Sequence, residues 1–155
     1  MSTHFIRTVI SCTEGFLVCY DNVFKETGLY AKKIFNTIEK LGILHDTIII
    51  FFTDHGTGIG ERFGERNYGS FTFEETIRSF YLFIGNKIGE NRICSSLRET
   101  IDIFPTILDL VKIKKIILPG KSFSKFLINE QDKLDDKEFV FSETGALQGP
   151  YPSPK

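Results

Sequence analysis

The chain has 155 residues, 41% hydrophobic and 25% charged, which suits one domain with a core of its own. A formal net charge of −1 provides no basic field to gather nucleic acid. The longest apolar runs are too short to span a bilayer, so no membrane partner is expected.

From the start, Met1-Ser-Thr-His-Phe-Ile-Arg7 has no signal-peptide pattern, and a cytoplasmic chain is expected. Residues 1–19 are ambiguous, with short strands conceivable at 8–10 and 16–19 around Thr13 and Gly15. From Asp21 or Asn22, either a suitable N-cap, the pattern turns helical. Tyr30, Ile34, Ile38 and Leu41 form one apolar stripe, and Gly42 is a natural stop. Thr47-Ile-Ile-Ile-Phe-Phe-Thr53 then reads as a buried parallel strand, because alternation is absent and its residues are strand formers. Residues 54–70 form a glycine-rich polar loop, a length that points to function or motion. A helical turn near 73–76 leads into a second buried strand at 80–84. Residues 86–100 are polar, with room for a short strand at 92–94. A helix at 101–111 follows, with Ile107, Leu108 and Val111 on its buried side and Asp102 and Asp109 capping it or facing solvent. Beyond it lie a charged turn at 112–115, a short helix at 122–127, a polar surface loop at 129–137, a third strand at 138–142 and an irregular tail. The cysteines, Cys12, Cys19 and Cys94, cannot all pair and lack zinc-site spacing, so free or buried thiols are expected. Alternating helix and strand predict an α/β layered fold with a mostly parallel sheet flanked by helices.

The most informative junction is the end of the first strand, where an apolar run gives way to Asp54-His55-Gly56. Open α/β sheets hold ligands beyond the carboxyl ends of their strands. A carboxylate and an imidazole placed there suit a metal site or an acid/base pair. The plainer reading is that Asp54 caps a following helix and His55 is simply exposed.

Tyr20-Asp-Asn22, Glu39-Lys-Leu-Gly-Ile-Leu44 and Asp46-Thr-Ile-Ile-Ile-Phe-Phe-Thr-Asp-His-Gly56 together resemble the sulfatase family of the alkaline phosphatase superfamily. Gly60-Glu61 with Phe73-Glu-Glu-Thr-Ile-Arg78, Thr100-Ile-Asp-Ile-Phe-Pro-Thr-Ile-Leu-Asp-Leu-Val111 and Leu118-Pro-Gly-Lys-Ser122 are further ordered blocks similar to it. The resemblance covers residues 20–128, with a poorly matched 1–19 before it and a loop, strand and irregular tail at 129–155 after it. It maps to the later part of a sulfatase domain. It implies one alkaline-phosphatase-like α/β domain, here incomplete. No Cys-x-Pro-x-Arg or Ser-x-Pro-x-Arg nucleophile motif occurs in the sequence.

Carried over residue by residue, the resemblance makes Asp54 and His55 metal-side ligands of one divalent ion, Ca²⁺, Mg²⁺ or Mn²⁺. Arg62 and Arg66 are candidates to face an anionic sulfate or phosphate ester, or are ordinary loop arginines. Tyr68 stands where many family members place a lysine, and Arg62 where some place a second histidine. Glu143 is a candidate to support the site from behind. The implied activity is metal-assisted cleavage of sulfate or phosphate esters in a complete enzyme, with a complementary chain supplying the nucleophile. The competing expectations are a non-catalytic remnant or interaction protein of the same fold, and an unfolded product.

Overall fold

The computed structural model describes residues 14–59, 62, 71–113, 117–129, 134 and 137–144. They belong to two compact units. One holds the described parts of Met1–Lys40, His55–Ser79 and Glu143–Lys155, and the other those of Leu41–Asp54 and Phe80–Ser142.

In the first unit, helix α1 spans Glu14–Lys40. It begins earlier than the N-cap at 21 or 22 suggests, and it runs through 16–19 where a strand was conceivable. Gly28 sits inside it with open space around its α-carbon. The helix stops where Gly42 takes φ +70°, a left-handed conformation that costs glycine nothing. Tyr30, Ile34 and Leu41 of the predicted stripe are exposed, while Ile38 is half-buried. Helix α2, Glu74–Ile77, falls on the expected turn, with Glu74 joined to Arg78 at 3.5 Å as the i,i+4 spacing predicts.

In the second unit, strands β1 (Ile49–Phe52) and β2 (Tyr81–Ile84) pair antiparallel, with Ile50 opposite Phe83 and Phe52 opposite Tyr81. The expected mostly parallel sheet is not what the described residues form: their ladder has two strands and runs antiparallel. A continuous apolar run reports strand formation without reporting direction. Nor is the sheet covered alike on both faces. Phe83 is buried and Ile50 and Tyr81 pack beside it, whereas Leu82 on the opposite face is 48% exposed. The stretches at 92–94 and 138–142 are not strands. The expected strand at 8–10 and the tail at 145–155 lie outside the described residues.

Helix α3, Ile103–Leu110, is entered through a tight turn at Thr100–Asp102, and helix α4 spans Ser124–Ile128. The buried side of α3 carries Ile103, Thr106 and Leu108, and Val111 is exposed rather than buried. Phe83, Phe123 and Leu127 centre the core, ringed by Ile50, Tyr81, Ile88, Leu110, Phe126 and Leu134. The Phe83 and Phe123 rings meet edge to face at 5.5 Å, and each such buried side chain contributes about 1.5–3 kcal/mol. Among the described residues no helix is long and apolar enough to cross a membrane.

One polar cluster joins these pieces. Asp102 is fully buried, contrary to its expected place at a solvated helix end. Its Oδ1 accepts from the Lys121 N–H at 2.8 Å and its Oδ2 from the Glu99 N–H at 3.1 Å. The Lys137 ammonium, 13% exposed, lies 2.8 Å from Asp102 and 2.6 Å from Glu99. Residue 137 is therefore an interior cation, although its surroundings in the sequence read as a surface loop. Glu99 also accepts the Phe141 N–H at 3.1 Å. The Thr106 hydroxyl donates to the Asp102 carbonyl at 2.6 Å and accepts the Phe123 N–H at 3.1 Å.

Burial pushes the Asp102 carboxyl up, but Lys137 and the Lys121 and Glu99 N–H groups outweigh it and hold the group below its ordinary 3.8. The Lys137 hydrogen bond holds Glu99 below 4.5. Burial pushes Lys137 down, while Asp102 and Glu99 overcome this and raise it above 10.5. Depressed carboxylates stabilise the fold above their unfolded values and cease to do so as pH falls through the folded ones. A raised lysine stabilises it below 10.5 and ceases to do so as pH climbs through the folded value. Melting temperature measured against pH is therefore expected to hold a plateau from roughly pH 5 to 10 and to drop below pH 4. Lys137→Met leaves Asp102 buried without its cation and is expected to lower stability by about 3 kcal/mol in urea titration at pH 7. A midpoint equal to wild type would show that the cluster is idle.

Candidate functional site

The Asp54–His55 step is preceded by the last rung of the ladder. The Thr53 N–H donates to the Phe80 carbonyl at 3.2 Å, and the Phe80 N–H donates to the Thr53 hydroxyl at 3.3 Å. The boundary between the two compact units falls between Asp54 and His55, so each is described with its own unit. Asp54 is exposed at the strand end. No helix begins at 54–59, which removes the reading of Asp54 as a helix cap.

In the other unit, His55 is half-buried, and its Nδ1 lies 2.5 Å from the Gly56 carbonyl. A carbonyl can only accept, so Nδ1 carries the hydrogen, and in the neutral ring Nε2 carries the lone pair. That tautomer is the one in which Nε2 can bind a metal while the other ring nitrogen is steered by the protein. Gly56 is fixed in turn, because its N–H donates to the Thr76 carbonyl of α2 at 2.9 Å. Its α-carbon is so close to α2 that an added Cβ would stand 2.7 Å from the Arg78 carbonyl oxygen and nearer still to that of Glu75. The glycine of Asp54-His55-Gly56 is therefore required by close approach.

Arg62, 47% exposed at its side chain, is turned onto α2. Its Nε donates to Glu75 Oε1 at 2.5 Å, its Nη2 to Oε2 at 3.4 Å, and its guanidinium lies 3.8 Å over the Phe73 ring. The Arg62 bond, helped by Glu75's own backbone N–H, holds the Glu75 carboxyl below the usual carboxylate range. The spacing of Glu74, Glu75 and Arg78 allows an i,i+4 or an i,i+3 pair; the structure forms the i,i+4 pair Glu74–Arg78 and gives Glu75 to Arg62. The buried Thr76 hydroxyl reaches the Phe71 carbonyl and, at 2.8 Å, the Phe73 carbonyl. Thr76 was not singled out from the sequence, and Glu75 only as a helical-turn partner of Arg78; Gly56 beside a histidine was the signal available. Arg66 and Tyr68 lie outside the described residues. Glu143 is exposed, and His45, also exposed, meets Asp46 at 2.9 Å. Among the described residues no three His, Cys, Asp or Glu side chains gather as a ligand cluster.

The family model for Sulfatase matches residues 5–113. An extracellular sulfatase SULF-1 homolog from Drosophila melanogaster is 32% identical over 79 residues, 51% of this chain and 7% of the relative. A low-salt glycan biosynthesis sulfotransferase, Agl7, from Haloferax volcanii is 30% identical over 95 residues, 59% of this chain and 24% of the relative. Arylsulfatase K from Bos taurus is 32% identical over 88 residues, 57% of this chain and 16% of the relative. The chain thus spans less than a quarter of the length of each of these relatives.

Gly56→Ala is expected to cost about 1–3 kcal/mol, since two backbone carbonyls must move to admit the methyl group. Gly28→Ala, in open space inside α1, is expected to stabilise by up to about 1 kcal/mol. Thermal melts of the two variants check this contrast; equal shifts would remove the close-approach argument.

Proposed function

This chain belongs to the sulfatase family, and we propose that it carries the strand-end metal-side pair of a hydrolase that cleaves sulfate esters. Asp54 and His55, consecutive in the chain, are the proposed ligands. The observation that carries the reading is the hydrogen bond from His55 Nδ1 to the Gly56 carbonyl, within a segment that the family match includes. It supports Nε2 as a metal-binding nitrogen, and the Asp54 carboxylate is a hard oxygen donor suited to Ca²⁺, Mg²⁺ or Mn²⁺. Two donors make part of a shell, and the fit extends that far. When bound, the ion would neutralise charge on an ester oxygen.

The choice of sulfate over phosphate ester draws on the names of the relatives, two sulfatases and a sulfotransferase. The nucleophile is assigned to none of the residues of this chain, and a complementary chain supplying it is part of the proposal. Arg62 is assigned away from direct ester contact, because its guanidinium is engaged by Glu75 and Phe73. Arg66 and Tyr68 are kept as proposed ester contacts. The second reading, a non-catalytic protein of the same family, draws on the exposed apolar residues of α1, Phe24, Tyr30 and Ile34 among them.

Adding Mn²⁺, Mg²⁺ or Ca²⁺ at about a hundred times its Kd stabilises a binding protein by about 2.7 kcal/mol, or roughly 5–10 °C for a domain of this size. The wild type is expected to show such a rise with at least one ion, and Asp54→Ala to lose it. A wild type indifferent to all three ions, or an Asp54→Ala variant that responds equally, would favour the non-catalytic reading.

A further inference from the structure

Resting on the reading of His55 as a metal-side ligand, we propose that the Arg62–Glu75 ion pair is a clasp that positions the His55 imidazole through Gly56. Gly56 is the pivot of the arrangement. Its N–H is held by the Thr76 carbonyl at 2.9 Å, and its carbonyl receives the His55 Nδ1–H at 2.5 Å. The orientation of this one residue therefore transmits the position of α2 to the imidazole. Gly56 has no slack on that side, since the Glu75 and Arg78 carbonyls crowd its α-carbon.

Arg62 reaches α2 from thirteen positions away. Two of its nitrogens meet the two Glu75 oxygens at 2.5 and 3.4 Å, and Phe73 forms a floor 3.8 Å beneath the guanidinium. A planar fork on a carboxylate and an aromatic face fixes direction as well as distance, which an ammonium would not. The Thr76 hydroxyl ties the entry of α2 back to the Phe71 and Phe73 carbonyls. Helix α2 is thus anchored at its entry by Thr76, joined to Arg62 by Glu75, and bonded through the Thr76 carbonyl to the peptide that steers His55. Glu74, paired with Arg78 and largely exposed, stands outside this chain of contacts. Groups that act on a ligand from behind its ring set tautomer and orientation, and their loss commonly weakens metal binding 10–100-fold. The ion pair itself is exposed, so its removal is expected to move the melting temperature by less than about 3 °C.

The test compares wild type, Glu75→Gln, Arg62→Gln, the charge swap Arg62→Glu with Glu75→Arg, and Glu74→Gln as a control. Long-range ¹H–¹⁵N spectra of the metal-free protein at pH 8 read the His55 tautomer directly. Wild type, Glu74→Gln and the swap are expected to show His55 as the Nδ1–H form, and the two single clasp variants a mixture of tautomers. With Mn²⁺ as the probe, Kd is expected to rise about 10-fold in Glu75→Gln and to recover in the swap. An unchanged His55 tautomer in both Glu75→Gln and Arg62→Gln overturns the clasp. A wild type that ignores Mn²⁺, Mg²⁺ and Ca²⁺ alike removes the metal reading, and the tautomer spectra then decide the clasp by themselves.

Discussion

A carboxylate taken fully out of water must be met by donors or it will not stay charged, and Asp102 is met on every side. Its side chain gathers the N–H groups of Glu99 and Lys121 and the ammonium of Lys137. Its carbonyl takes the Thr106 hydroxyl, which in turn receives the Phe123 N–H. Through these bonds one residue fixes where α3 begins, how the chain passes Gly120, and where Phe123 stands. Gly120 itself has no room for a side chain, because an added Cβ would run into the Ile101 carbonyl. Phe123 then sets its ring edge to face with Phe83, and Phe83 fixes β2 against Ile50 of β1. The position of the strand end at Thr53 descends from that series. An apolar contact slides at little cost, whereas this cluster permits one arrangement because each displaced bond strands a buried charge.

At the strand end the controlling physics changes from charge to space. The Thr53–Phe80 rung closes the ladder by pairing both backbone and hydroxyl, after which the described residues supply no further strand partner. In the unit that follows, the chain approaches α2 so closely that only glycine fits at residue 56. The same closeness lets the Gly56 N–H reach the Thr76 carbonyl and turns the Gly56 carbonyl to His55. Local sterics therefore hold the hydrogen of the imidazole on Nδ1. Helix α2 has four residues and little stability of its own; its place is fixed by the Thr76 hydroxyl and the Glu75 carboxylate.

Those two regimes explain what the sequence disclosed. Features set by neighbours in the chain were legible: the stop of α1 at Gly42, the apolar run of β1, the turn at α2, the strand at β2 and the proline-bearing start of α3. The end of β1 before Asp54 and His55 was legible too, because a polar step after an apolar strand is a local contrast. Features set at a distance were not. Asp102 sits between two isoleucines near a helix start, where a capping role is the local expectation, and its cation lies 35 positions on in a stretch rich in charge. Glu75 had a plausible partner in Arg78, three positions away, and took Arg62, thirteen positions back. Strand direction escaped for the same reason: β1 and β2 are each recognisable alone, but their antiparallel pairing is a property of the route between them.

Counting donors shows how the site constrains its own interpretation. A carboxylate and an imidazole offer one oxygen and one nitrogen, while Ca²⁺ takes about six to eight ligands and Mg²⁺ about six. Neither residue alone distinguishes a metal site from a surface pair. The proposed metal role draws on the arrangement behind the imidazole, where a backbone carbonyl accepts Nδ1–H and a helix holds that carbonyl's residue. A merely exposed histidine has no need of such support, and its ring would be left to solvent, as His45 largely is. Weak binding by two donors and strict orientation of one of them are compatible, because orientation lowers the cost of recruiting the remaining ligands when they arrive from water, from the ester, or from another part of a sulfatase domain.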